Sequence, residues 1–286
     1  MNGRITIADL LTDKQQRRAI AAVSCYDYTT ACLVAQTQVQ MILVGDTAAQ
    51  MVLGFDSTLP VTMDFMVTIT AAVRRAAPNP YLVADMPFLS YHISVGEAIR
   101  NAGRFLTEAG AQMVKIEVTN AYLDTVRAVS EAGIPVMAHI GIRPQRIVEM
   151  GRFRAEATTA EAAVALIDLA ERMVAAGAGA LLIEGTAAEV ARIITERSDV
   201  PVISCGSGPH CDGQILIAPD ILGLSGGHLP KFAKDFGNLG ARTVEAFQKY
   251  AEQVQAGQFP DAEHSYHMKP GELQRLEDLL RRNQPS

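Results

Sequence analysis

Eight short apolar runs, each followed by a stretch of helical periodicity, constrain the fold of this 286-residue chain more than any other feature. The runs cover residues 19–25, 40–44, 81–84, 112–116, 134–138, 180–183, 200–204 and 215–218. Most are near-continuous Val, Ile, Leu, Met and Ala, which is how parallel strands covered on both faces read. Helical patterns lie between them, as over 95–109, 121–132, 159–176 and 187–196. Gly110, Gly133 and Gly177 each end such a stretch just before a strand, the place of a left-handed helix stop. Pro135 and Pro201 stand at strand starts, where a missing N–H does least harm. Strand–helix alternation repeated eight times predicts an α/β fold, the (β/α)8 TIM barrel. The competing architecture, an open doubly wound sheet, usually carries a G-x-G-x-x-G turn after its first strand. Here that strand runs into Tyr26-Asp27-Tyr28-Thr29-Thr30.

A barrel of this kind needs about 250 residues, and the chain shows no low-complexity linker or compositional break. The reading is a single barrel domain over 1–286 with a C-terminal helical extension. That extension is a long helix within 231–270, ending near Gly257, then a polar coil and a short charged helix over 273–282. A net charge of −6 and a pI near 5.5 argue against a nucleic-acid surface, which needs clustered Lys and Arg. The longest apolar runs are strand-length, well short of a membrane span, and residues 1–11 carry no signal-peptide core. Cys25, Cys32, Cys205 and Cys211 form no C-x-x-C pair, and Cys25 and Cys205 read as buried thiols. The expectation is a reduced, soluble, cytoplasmic protein that acts on a small molecule and has no nucleic-acid or membrane partner.

Five consecutive strands end in an ionisable side chain: Asp46, Asp85, Glu117 (with Lys115 two residues earlier), His139 and Glu184. In a barrel these ends meet at one mouth, where such folds do their chemistry. Asp46, Asp85 and Glu117 are hard oxygen donors that repel one another when gathered. A divalent cation resolves that, and carboxylates with water favour Mg²⁺, with Mn²⁺ or Co²⁺ as substitutes. A salt-bridge network to Lys or Arg is the structural alternative. Lys115 shares an inward face with Glu117 and is placed to bind a substrate anion. His139 stays open between an orienting group, a substrate contact and a satisfied buried histidine. Glu184, with apolar Leu181, Leu182 and Ile183 before it, is a candidate general base of raised pKa. A 2-oxo acid chelated through its carboxylate and keto oxygens would give up an α-proton to such a base, and the cation would stabilise the enolate.

Several longer motifs resemble the ketopantoate hydroxymethyltransferase family: YDYTTA at 26–31, ILVGDT at 42–47, VLGFDSTLPVT at 52–62, ADMPFLSY at 84–91, EAGAQMVKIE at 108–117, GIPVMAHIGIRPQ at 133–145, AGAGALLIE at 176–184 and CDGQIL at 211–216. With the late KFAKDF, the resemblance runs over about 23–260. It implies a barrel of the phosphoenolpyruvate/pyruvate-type superfamily. It also implies transfer of a hydroxymethyl group from 5,10-methylenetetrahydrofolate to 3-methyl-2-oxobutanoate, an early step of pantothenate synthesis, by a large homo-oligomer, often a decamer. By the same resemblance Asp46 and Asp85 contact metal and oxo acid, and Glu117 is a third metal carboxylate, directly or through water. Thr47 stands for the usual serine on the substrate carboxylate, Lys115 binds substrate, and Glu184 is the proton acceptor. The chain departs from the family at Val67–Thr70, which lacks a Tyr-His pair, at Ile142-Arg143, at Gly151–Arg154, at Ser204–Gly208 and at Gly185-Thr186. An intact charged centre in altered loops implies a divergent member, serving 3-methyl-2-oxobutanoate or an analogous 2-oxo acid. The alternatives are a C–C lyase or mutase of the same superfamily, whose Lys-Lys-Cys-Gly-His-like loop is missing here, and a non-catalytic barrel scaffold.

Overall fold

The computed structural model describes residues 3–226 and 229–283. All eight apolar runs form strands: β1 (Ile20–Ser24), β2 (Met41–Val44), β3 (Tyr81–Asp85), β4 (Met113–Glu117), β5 (Val136–Gly141), β6 (Ala180–Glu184), β7 (Val202–Cys205) and β8 (Gly213–Ile217). Each strand lies parallel to the next in sequence, and β8 pairs with β1 to close the barrel. Closure removes the exposed edges that an open sheet must protect.

Alternation along each strand sorts the apolar residues into two layers. Met41, Leu43, Tyr81, Val83, Met113, Met137, Ala180 and Leu182 fill the barrel interior. Ile42, Val44, Leu82, Ala84, Val114, Ile116, Ala138, Leu181 and Ile183 face the surrounding helices. Both faces are covered, which is why the runs carried no polar alternation.

The helices begin where short oxygen-bearing side chains can cap them. Asp27, Thr62, Ser94 and Thr159 each accept from the N–H three residues on. The expected helices are Val95–Thr107, Leu123–Glu131 behind a single tight turn at Asn120–Tyr122, Ala160–Ala175 and Ala188–Arg197. Gly110, Gly133 and Gly177 sit at φ of 69°, 82° and 102°, the left-handed stops the sequence called for.

A helix over Ile7–Gln15 was not foreseen, because nine residues with few apolar positions show little periodicity. Its start is a reciprocal cap between Thr6 and Asp9. Its Leu10 is fully buried and packs with the interior cluster of Ile20, Met41 and Tyr81, at the N-terminal ends of the strands. The helix thus closes the barrel floor.

The long C-terminal helix starts later than the sequence implied. It runs over Leu239–Gln255, while 231–238 are turns and Asn238 sits at φ 46°. The chain divides into two compact units, Met1–Gly237 and Asn238–Ser286. The second holds the helices Leu239–Gln255 and Glu272–Arg282, neither of which buries a residue.

Replacing Leu10 by Ala is expected to destabilise the barrel unit by about 2–5 kcal/mol, the range for deleting a fully packed leucine. Urea unfolding measures it. An unchanged midpoint would show that the helix does not seal the floor.

Candidate active site

The two-residue alternation that puts Tyr81 and Val83 inside also puts Asp85 inside, one layer higher. By the same parity Lys115 and Glu117 follow Met113, His139 follows Met137, and Glu184 follows Leu182. Strand register aligns these positions into a ring: Asp85 pairs with Lys115, Glu117 with His139, and Glu184 with both Gly141 and Cys205. Asp46 arrives differently. It lies two residues past the end of β2, in the turn before the short helix Ala48–Met51, and Gly45 lets that turn pass close to the wall. A Cβ on Gly45 would stand 2.9 Å from Ser24 Oγ, 3.7 Å from Thr47 Oγ1 and 3.8 Å from Asp85 Oδ2.

Asp46, Thr47, Asp85, Lys115, Glu117, His139 and Glu184 therefore line one cavity, with Ser24, Leu43, Leu182, Cys205 and Ile215 completing its wall. Its volume of about 60 Å³ suits a cation with a few waters, since each water needs roughly 10–15 Å³ measured this way. A large co-substrate can present only its reactive end there.

The contacts tie neighbouring strands together. Lys115 Nζ stands 2.8 Å from Asp85 Oδ1 and 3.2 Å from His139 Nδ1. Asp85 Oδ2 accepts from the backbone N–H of Asp46 at 3.0 Å. An ammonium only donates, so His139 Nδ1 accepts and the ring proton sits on Nε2. That nitrogen faces Glu184 Oε2 at 3.4 Å. Glu117 takes the backbone N–H of Gln145 on both oxygens, at 3.1 and 3.3 Å. The expectation of three unpaired carboxylates thus holds only in part, because Lys115 already partners Asp85.

Burial dominates the electrostatics. It would lower the Lys115 pKa, but Asp85, Asp46 and Glu117 outweigh it and hold the ammonium charged. Burial pushes Asp85 up to about 8 against the pull of Lys115, with Asp46 adding to the rise. Glu117 is raised well above the carboxylate range, again by burial foremost. Burial also lifts Glu184 to about 7, with Lys115 opposing. His139 is kept well below 6.5 by burial and by Lys115, so its ring is neutral. The Glu184 shift follows the sequence reasoning, with one change: Leu182 lines the cavity beside it, while Leu181 and Ile183 face the helices.

Ser24 Oγ, Asp85 Oδ1 and His139 Nε2 are buried in this wall without a hydrogen-bond partner in the protein. The Lys115 contact to Asp85 Oδ1 is a charge contact outside hydrogen-bond angles. Hard oxygens with spare lone pairs, beside a glycine cradle, fit a divalent cation and a small oxygen-rich ligand. Among the described residues no three His, Cys, Asp or Glu side chains are grouped as a ready cage. Mg²⁺ keeps several waters and takes one or two protein carboxylates. Asp46 and Asp85 both line the cavity and could supply them.

Four wall and support residues escaped the sequence reading. Ser24 and Cys205 were legible from parity, being two residues beyond inward Ala22 and Ile203. Cys25 is fully buried, and Cys205, partly exposed as a residue beside Glu184, has a thiol whose pKa burial raises well above its usual value. Gly45 and Gln145 sit in turns, where no periodicity announces direction.

The sequence and fold have known counterparts. The family description for ketopantoate hydroxymethyltransferase matches residues 4–262. A protein of Syntrophomonas wolfei named 3-methyl-2-oxobutanoate hydroxymethyltransferase is 44% identical over 273 residues, spanning 96% of this chain and 99% of its own. One of the same name from Moorella thermoacetica is 45% identical over 263 residues, spanning 92% and 98%. Solved structures of 2,3-dimethylmalate lyase (TM-score 0.59, 17% identity, 97% of each chain) and of phosphonopyruvate hydrolase with oxalate and Mg²⁺ (TM-score 0.59, 13% identity, 96% and 95%) share the fold. The match across nearly the whole length, on a closed parallel barrel, places this chain in the ketopantoate hydroxymethyltransferase family.

Proposed function

We propose that this chain is a 3-methyl-2-oxobutanoate hydroxymethyltransferase-like enzyme, which deprotonates a 2-oxo acid and joins it to a one-carbon unit from 5,10-methylenetetrahydrofolate. The observation that carries this reading is the single cavity in which Glu184, its pKa pushed up to about 7, faces the Asp46, Asp85 and Lys115 wall. Family membership supports it independently.

Asp46, Asp85 and Glu117 would hold a divalent cation such as Mg²⁺, which when bound would supply a Lewis acid that acidifies the carbon next to the ketone. The protein does the rest. Lys115 neutralises the oxo acid carboxylate, and Thr47 donates its hydroxyl to the same group. Glu184 takes the α-proton onto a carboxylate oxygen, and a pKa near neutrality suits a base that must also give the proton up. Neutral His139, whose Nε2 lies 3.4 Å from Glu184 with no hydrogen-bond partner in the protein, is left to donate to the substrate. Leu43, Leu182 and Ile215 keep the reacting carbon in an apolar setting.

The barrel unit carries this chemistry, with 238–286 as its C-terminal extension. No described helix is long and apolar enough to cross a membrane. We read the enzyme as cytoplasmic and as a homo-oligomer of decamer size, which sedimentation would test. Arg143, the 151–154 segment and Cys205 depart from the motifs the family resemblance implies, so an analogue of 3-methyl-2-oxobutanoate stands beside it as a candidate for the natural acid. Measuring exchange across a panel of 2-oxo acids decides this, and clear preference for 3-methyl-2-oxobutanoate would remove the analogue idea.

Solvent-deuterium exchange into the α-position reports proton removal without the folate. Glu184→Gln is expected to lower the exchange rate about 10²–10⁴-fold while Mg²⁺-dependent oxo acid binding by calorimetry persists; exchange at the normal rate would exclude Glu184 as base. The exchange rate should rise with pH through about 7 and then level off, because the acting form is the carboxylate. A flat profile from pH 5 to 9 would contradict that assignment. Asp85→Ala is expected to abolish Mg²⁺-dependent oxo acid binding, and unchanged affinity would show the carboxylate wall misread.

A further inference from the structure

Gln145 is 3% exposed and lies in the tight turn Pro144–Arg146, directly after β5. Its amide Nε2 donates to Asp46 Oδ2 at 2.9 Å and to the Met86 carbonyl at 2.9 Å. Its Oε1 accepts from the Tyr91 hydroxyl at 2.7 Å. Its backbone N–H reaches both oxygens of Glu117. One residue thus holds carboxylates that follow β2 and end β4, and it is braced by the segment after β3.

The sense of the amide is fixed by its neighbours. A carboxylate and a carbonyl only accept, so both must face the NH₂ group. Turning the amide over would set its oxygen against two acceptors. The Tyr91 hydroxyl on Oε1 favours the same orientation. The charge type also matters. A Lys or Arg at this place would hold Asp46 equally well but would cancel the negative charge that a cation needs. A neutral amide satisfies one oxygen of Asp46 and leaves the charge intact.

We propose that Gln145 is a positioning residue, which sets the direction of the Asp46 carboxylate for cation binding through its amide and holds Glu117 through its backbone. This rests on the reading that Asp46 and Asp85 are the cation's protein ligands. It goes beyond that reading in naming a residue that touches neither cation nor substrate.

Mn²⁺ alone, titrated by calorimetry into the full-length chain, tests it. Gln145→Met keeps length and volume but removes both donors to Asp46 and Met86. It is expected to weaken Mn²⁺ binding about 10–100-fold, as for other losses of a ligand's orienting partner. Tyr91→Phe removes the brace on Oε1, together with a longer 3.3 Å bond to the Glu117 carbonyl, and leaves both amide donors in place, so its loss should be smaller and in the same direction. The double variant should lose less than the sum of the two single losses, because the shorter Tyr91 bond reaches Asp46 through Gln145. A merely structural role would give additive losses and would track the thermal unfolding midpoint. Unchanged Mn²⁺ affinity in Gln145→Met, with normal binding by the unmodified chain, would overturn this proposal and leave the assignment of Asp46 and Asp85 standing. No Mn²⁺ binding by the unmodified chain would overturn both. Should Gln145→Met fail to fold, Tyr91→Phe decides, and wild-type affinity in it overturns the proposal.

Discussion

The buried ammonium of Lys115 is the interaction around which the rim of this barrel is organised. Four carboxylates, Asp46, Asp85, Glu117 and Glu184, share its cavity, and one cation cannot neutralise them all. Water does not relieve their repulsion, because Asp46, Asp85 and Glu117 are buried with it. Burial raises the pKa values of Asp85, Glu117 and Glu184, and Lys115 opposes that rise at all three.

That arrangement costs stability, and the fold supplies it elsewhere. The interior apolar layer beneath the ring and the outer layer against the helices enclose the strands on both faces. The helix over Ile7–Gln15 seals the opposite end, so the polar layer is confined to one mouth. Backbone does much of the fine positioning. Gly141, at φ 86°, leaves no room for a side chain, since a Cβ there would stand 2.2 Å from the Glu184 carbonyl. The close approach of β5 and β6 at their upper ends therefore requires glycine, and it sets where Glu184 stands.

Two features divide labour around Glu184. His139, kept neutral, stands 3.4 Å from it without adding charge, whereas Lys115 contributes charge from farther away. A charged histidine in the same place would stabilise the carboxylate and pull its pKa down, making it a poorer base. The neutral Gln145 amide avoids extra charge in the same way: it holds the Asp46 carboxylate in place without spending its charge.

The sequence by itself determined the eight strands, their parallel burial and the inward direction of Asp85, Lys115, Glu117, His139 and Glu184, because a two-residue repeat on a covered strand admits one face per residue. The same rule would have found Ser24 and Cys205. It determined the family as well, through long ordered motifs. Tertiary structure alone decided what depends on loop direction and on meetings between distant segments: that Gly45 turns Asp46 back to the wall, that Lys115 pairs with Asp85, that Gln145 spans 99 positions to reach Asp46, and that Leu10 closes the floor. The physical reason is that turns carry no periodicity, and pairing across a barrel is set by closure rather than by neighbours along the chain.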